Sequence, residues 1–349
     1  MNARLNELLK QTSRSFHLTL RVLPRAVRAQ IGLAYLLART TDTVADTELV
    51  PVEQRLQALR QLRARILGTN DAPLDFGELA RRQGSPAEGG LLEHVEESLA
   101  ALRALSADDL KLVHKVLDTI TSGQELDLRG FAGASAENII ALQTDADLDD
   151  YTYRVAGCVG EFWTGICVAH LFNLVELDEF AMSPSFEKLS VRFGKGLQLV
   201  NILRDLPADL RKGRCYLPLA RLAEADLKPA DLLTPANEPK FRPLYHRYLD
   251  LAESHLAAGW LYTECIRWGQ ISIRLACAWP ILIGTETIRR LRNENVLDPA
   301  RRVKVSRAEV RGIVARSVLR YAWPTSWRRL FPPHDPAFWK AVASHAKFE

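Results

Sequence analysis

Apolar residues recur three and four positions apart along almost the whole chain. This spacing predicts helices over 25–45, 51–68, 92–104, 107–128, 148–172, 187–211, 238–268, 271–293 and 306–320. Strict apolar/polar alternation, the pattern of a half-buried strand, is nearly missing, so the expected class is all-α. The helical pattern stops where Gly, Pro and Asn gather. GTNDAP (68–73) and RRQGSPAEGG (81–90) read as loop, and LKPADLLTPANEP (227–239) reads as a loop holding one short helical turn. Of the 349 residues 47% are hydrophobic, enough for a large core. Residues 1–300 are read as one domain, with 301–349 as a C-terminal helix and tail packed on or beside it.

The charge balance narrows the function classes. Lys and Arg number 46 and Asp and Glu 42, a net charge of +4, too even for a chain whose main partner is nucleic acid. Cys158, Cys167, Cys215, Cys265 and Cys277 form no CxxC pair. An odd set of scattered thiols fits a reducing compartment, and a cytoplasmic location is the expectation. The start, MNARLNELLKQTSRSF, has no apolar signal core. The apolar stretch 155–175 is interrupted by Glu161 and His170, and 275–283 is short, so no membrane span is expected. The tail sets Trp323, Trp327, Phe331, Phe338 and Trp339 among basic residues. Such a tail suits peripheral contact with a membrane, and packing against the helices is the alternative reading.

Three stripes carry the chemistry. Positions three or four apart share a helix face. Tyr35, Arg39, Asp42 and Asp46 form one such stripe, beside a face of Ile31, Ala34, Leu37 and Ala38. Gln198, Asn201, Asp205 and Asp209 form a second, with Arg204 beside it and Leu197, Val200, Ile202 and Leu203 on other faces. In a third, Tyr151 heads an apolar run of Val155, Val159 and Phe162, and Gly157 and Gly160 thin the helix so that something can approach its backbone closely. A pair of aspartates four apart is by itself most simply a solvated face. These two pairs end helices apolar on most sides, where a polar stripe lines a cavity. Like charges in such a place need a cation, and oxygen-only ligands suit Mg²⁺ completed by phosphate. The residues thus predict a helical bundle with a central cavity, in which two aspartate pairs hold Mg²⁺ against a phosphate-bearing ligand. Arg39, Arg204, Arg211, Lys212 and Arg214 offer guanidinium and ammonium groups to the same phosphate.

These segments resemble the squalene/phytoene synthase family. NILRDLPADLRKGRCYLP (201–218) is similar to its second aspartate motif with the trailing G-R-x-Y-x-P. YLLARTTDTVAD (35–46) resembles the first motif, YTYRVAGCVGEFW (151–163) the Y-x-x-x-VAG-x-VG segment, and TSRSF (12–16) the N-terminal diphosphate-contacting segment. The four occur in the family's order, over roughly residues 10 to 295. TSRSF and DTVAD look more like squalene synthases than phytoene synthases.

The resemblance implies an α-helical isoprenoid synthase fold and a head-to-head condensation of two farnesyl diphosphates. Presqualene diphosphate forms first, and NADPH then reduces the rearranged cation to squalene. By position, Asp42, Asp46, Asp205 and Asp209 would hold Mg²⁺. Ser13, Arg14, Ser15, Arg39 and Arg204 would contact diphosphate, and Arg214 and Tyr216 would bind substrate. Tyr35, Gln198 and Asn201 would line the reaction end, Tyr151 would be the catalytic phenol, and Phe16, Val155 and Val159 would face the isoprenoid tails. Synthases stopping at presqualene diphosphate, or making phytoene or dehydrosqualene, are the enzyme alternatives; a non-catalytic helical scaffold is the other. Two departures stand out. Thr47 and Ala208 occupy places where many relatives have a further acid, and Pro207, between the second pair, is expected to kink or end its helix.

Overall fold

The computed structural model of the chain describes residues 2–13, 16–171 and 184–344. These divide into two compact units: the described residues of 1–132 and 161–176, and those of 133–160 and 177–349.

The first unit holds α1 (Ala3–Thr12), α2 (Phe16–Val22), α3 (Arg25–Asp46), α4 (Val52–Ile66), α5 (Gly77–Arg81), α6 (Pro86–Glu93), α7 (Val95–Arg103) and α8 (Ala107–Gly130). α3 is its centre and packs on α1, α4, α6, α7 and α8. Leu33, Leu36, Leu37 and Val44 of α3 are buried with Leu56, Leu59 and Leu62 of α4 and Val113, Val116 and Leu117 of α8. Three of these helices start where a side chain supplies a missing acceptor: Asn2, Ser85 and Ser106 each accept from a first-turn amide. Residues 81–90 are a correction to the expected loop. Ser85 caps a helix, α6, with Pro86 at its first position, where a missing N–H costs nothing.

The second unit begins with β1 (Ile140–Ala141) and α9 (Asp145–Thr152), which opens on a Thr144/Asp147 capping box. A π-helical turn (Tyr153–Gly157) follows, and α10 (Cys158–His170) continues from it, its residues from Glu161 on belonging to the first unit. Then come α11 (Pro184–Arg211), β2 (Arg214–Cys215), α12 (Leu219–Glu224), two 3₁₀ turns at 229–233 and 235–237, α13 (Glu238–Cys265), α14 (Ile271–Leu291), α15 (Arg307–Arg320), α16 (Pro324–Arg328) and α17 (Pro336–Ser344). β1 and β2 pair in parallel, Ile140 with Arg214, and are the only extended pairing among the described residues. The core is α11 packed on α13 and α14, with Leu199, Val200, Leu203, Leu249, Ala252, Leu256 and Ile273 buried.

α14 is long and apolar enough to cross a membrane by length and composition, but 72% of its most apolar window is buried inside the protein, as in a core helix. Part of the aromatic tail packs inward. Trp327 and Phe331 are buried and both stack on Trp260, at 5.5 and 5.7 Å between centroids. None of the five cysteines is joined in a disulfide.

α11 corrects the expectation at Pro207: the helix neither ends nor breaks there but runs on to Arg211. Proline has no N–H to give the carbonyl four residues back, that of Leu203. The Tyr245 hydroxyl of α13 donates to that oxygen at 3.0 Å. Both residues are buried, so a hydroxyl from a neighbouring helix replaces the amide that the proline lacks.

Candidate functional site

In the first unit the site residues gather on the last turns of α3. The Arg39 guanidinium forks between two acids, pairing with Asp42 and reaching Glu88 of α6 at 3.4 Å. Burial, then the neighbouring charge of Asp46, pushes the Asp42 carboxyl up from 3.8 to about 7; Arg39 opposes this, and Asp127 and Glu88 add to it. The side chain nonetheless keeps 38% of its surface open, as expected of a carboxylate crowded by protein yet facing a concavity. Beside it lies a cleft of about 270 Å³ lined by Arg39, Thr43, Asp46, Arg82, Gln83 and Glu88, among others. The Tyr35 hydroxyl donates to the carbonyl of Thr12 at 3.2 Å, tying the end of α1, and with it Ser13, to the same stripe.

Among the described residues near this stripe, the buried donors Ser13 Oγ, Arg39 Nε and Thr43 Oγ1 have no hydrogen-bond partner. An unmet buried donor is costly unless a ligand completes it. Two hydroxyls and a guanidinium N–H are the donors that phosphate oxygens accept. Arg14, Ser15 and the side chain of Phe16 lie outside the described residues.

In the second unit the station is on α11. Arg204 grips Asp205 with both ends of its fork, Nε to Oδ1 at 2.9 Å and Nη2 to Oδ2 at 2.5 Å. That hydrogen bonding, with the charges of Asp205 and Asp209, raises the arginine's pKa, so it stays charged. Because α11 continues through Pro207, Asp205 and Asp209 remain one turn apart on one face. Both are half-buried, as is Gln198, while Asn201 is exposed.

Beyond the helix, Gly213 takes a left-handed backbone (φ 79°), and a Cβ there would lie 2.3 Å from the Ser135 amide nitrogen. The turn leads into β2, where Arg214 is half-buried. Tyr216 then stacks on Tyr151, 4.8 Å between centroids and 24° from parallel. The structure thus joins two tyrosines 65 positions apart in the chain, and the stack orients the Tyr151 phenol.

The close approach expected at Gly157 and Gly160 is real, and what approaches is α11. A Cβ at Gly160 would lie 2.0 Å from the Ser190 carbonyl oxygen, and one at Gly194 2.1 Å from that of Ala156. The π turn inserts a residue into the helical repeat, so Val155 and Val159 do not continue a single straight stripe from Tyr151. Val159 is 38% exposed and Val155 half-buried. Lys195 of α11, almost covered, bonds both Asp149 oxygens at 2.7 and 2.8 Å and holds α9 to α11 near this point.

Sequence reasoning missed Glu88, Asp127, Thr43 and Tyr245. Only Glu88 carried a local signal, the S-x-x-E pattern of Ser85 to Glu88 that marks a helix start. The others act across the fold.

The acids are hard oxygen donors, but among the described residues no three side chains of His, Cys, Asp or Glu converge closely enough to hold a metal ion unaided. That donor set fits Mg²⁺, which takes one or two carboxylates and completes its shell with water and substrate phosphate.

The squalene/phytoene synthase family model matches residues 9–309. The presqualene diphosphate synthase of Zymomonas mobilis is 30% identical over 247 residues, 70% of each chain. The squalene synthase of Schizosaccharomyces pombe is 26% identical over 358 residues, 98% of this chain and 72% of that one. The chain spans only 40% of the length of another relative it matches, a bifunctional lycopene cyclase/phytoene synthase of Gibberella fujikuroi. A solved structure described as TcSQS with the ligand E5700 superposes with a TM-score of 0.74 at 21% identity, covering 99% of this chain and 97% of that chain.

Proposed function

The chain belongs to the squalene/phytoene synthase family and has its helical isoprenoid synthase fold, and we propose that it joins two farnesyl diphosphates head to head, through presqualene diphosphate, to squalene. The observation that carries this reading is the pair of acid-and-arginine stations, Arg39 with Asp42 on α3 and Arg204 with Asp205 on α11, each with a second aspartate four residues on.

In the proposed reaction each station handles diphosphate. Arg39 and Arg204 hold phosphate oxygens as the diphosphate leaves, when its negative charge grows. Ser13 and Thr43 complete the grip through the hydroxyls that have no protein partner. Asp42, Asp46, Asp205 and Asp209 would hold Mg²⁺, which when bound neutralises the leaving diphosphate. Loss of diphosphate leaves an allylic cation, and the Tyr151 phenol, braced by Tyr216, guides the proton loss that closes the cyclopropane. Tyr35, Gln198 and Asn201 line the reaction end and Val155 and Val159 the isoprenoid side, while Arg214 binds substrate. Reaching squalene takes a hydride as well as loss of the second diphosphate, and NADPH is proposed as its source.

A second reading, arrest at presqualene diphosphate, is favoured by the 30% identity to an enzyme of that name. Incubation with farnesyl diphosphate and Mg²⁺, with and without NADPH, separates the two. Squalene only with NADPH supports the main reading. Presqualene diphosphate in both arms establishes the second, and untouched farnesyl diphosphate in both removes farnesyl diphosphate as the substrate.

A further inference from the structure

α15 has an outward face that does not suit a helix in water. Its inward face is clear: Ile313, Ser317 and the following Tyr321 are buried, and Ser317 Oγ accepts from the Trp279 indole at 2.9 Å. On the other side Val318 is 50% exposed, Leu319 69% and Trp323, in the turn after the helix, 63%. Trp268, which stacks on Tyr321 at 4.4 Å, is itself 37% exposed. Large apolar groups left open together, with a polar rim, mark an interaction surface.

The rim is basic. Residues 307–330 hold six arginines, Arg307, Arg311, Arg316, Arg320, Arg328 and Arg329, against one acid, Glu309. Glu309 is already committed to Arg290 and to the Ser306 cap. Arg311 and Arg316 lie exposed on the outward face, with no ion pair among the described residues.

We propose that this face of α15, with Trp323, docks on an anionic lipid surface. Charge and shape favour that occupant. A second copy meeting this face about a two-fold axis would set arginine against arginine. An anionic bilayer accepts both parts of the pattern: indole and leucine enter at headgroup depth, and guanidinium groups flank them at the phosphates. The inference concerns Leu319 and Trp323, not the buried Trp327 and Phe331 of the tail, and it stands apart from the reaction proposed above.

The test is co-sedimentation of the full chain with phosphatidylcholine vesicles, with and without phosphatidylglycerol. The wild-type protein is expected to pellet with the anionic vesicles only, and less so as salt rises. Leu319→Ser with Trp323→Ser should weaken partitioning about tenfold or more. Arg311→Gln with Arg316→Gln should weaken it by about 30-fold, roughly fivefold per charge. Melting temperature and turnover of soluble farnesyl diphosphate should be unchanged in both variants. Wild-type protein that stays in the supernatant, or that pellets equally with neutral vesicles, overturns the proposal. So does a dimer that the Leu319/Trp323 variant dissolves, because it gives the face to a protein partner.

Discussion

Replacing Tyr245 by Phe tests how α11 carries its two aspartates through a proline. The substitution keeps the ring and removes one oxygen, the donor to the Leu203 carbonyl at 3.0 Å. Leu203 is fully buried and Tyr245 2% exposed, so water does not replace the lost donor. A buried carbonyl left unmet should destabilise the fold by about 1–3 kcal/mol. The same substitution in a Pro207→Ala background should cost less, because alanine restores an amide that donates to Leu203 from within the helix. Denaturant melts of the wild type, the two single variants and the double variant then close a cycle, with an expected coupling energy of about 1–2 kcal/mol. Equal losses from Tyr245→Phe in both backgrounds would show that the hydroxyl does not stand in for the missing amide. The consequence for the site is a second readout. If the bond keeps Asp205 and Asp209 on one face, Tyr245→Phe should also weaken Mg²⁺-dependent turnover, and Pro207→Ala should restore it.

Four further outcomes are expected. In metal-free buffer Asp42→Asn should stabilise the protein at about pH 8 and have little effect near pH 4. The native carboxyl keeps its proton up to about 7 while the unfolded one loses it above 3.8, so wild-type stability falls as pH rises across that window; three units would be about 4 kcal/mol, but the 38% exposure of the side chain reduces the expected gain to about 1–2 kcal/mol, and a pH-independent difference in urea melts would refute it. Glu88→Gln removes one of the charges that raise Asp42, so the Asp42 midpoint, followed by carboxyl NMR without metal, should move down; an unmoved midpoint would take Glu88 out of the site. Tyr151→Phe should slow single-turnover formation of presqualene diphosphate by about 10²-fold while melts stay within about 1 kcal/mol, since the stack on Tyr216 needs only the ring, and a wild-type rate would remove the phenol from the chemistry. Gly160→Ala places a methyl 2.0 Å from the Ser190 carbonyl and should cost about 3 kcal/mol by thermal or denaturant melt, against an unchanged melt if α10 and α11 can part freely.

The sequence by itself determined the long helices and the stripes they carry. Both follow from relations among residues three or four apart, which the chain sets before it folds. Over the described residues, each segment read as helical from its apolar spacing contains a helix, with ends a few residues from those expected, and Arg39 meets Asp42 as that spacing requires. The candidate aspartates Asp42, Asp46, Asp205 and Asp209 were legible for the same reason, as polar positions repeating on apolar helices, whereas Glu88, Asp127 and Tyr245 were not. What the tertiary structure decided was the environment of those residues. Pro207 ends helices by local rule, yet α11 passes through it because a hydroxyl 42 positions away in the chain meets the carbonyl that the proline abandons. Tyr151 acquires its orientation from Tyr216, and the Asp42 proton is held by burial among Asp46, Asp127 and Glu88, which sit on three different helices. The tail aromatics likewise divide into buried Trp327 and exposed Trp323, four residues apart, according to which side Trp260 covers. Spacing along the chain reports which residues share a face, and only packing reports what that face meets.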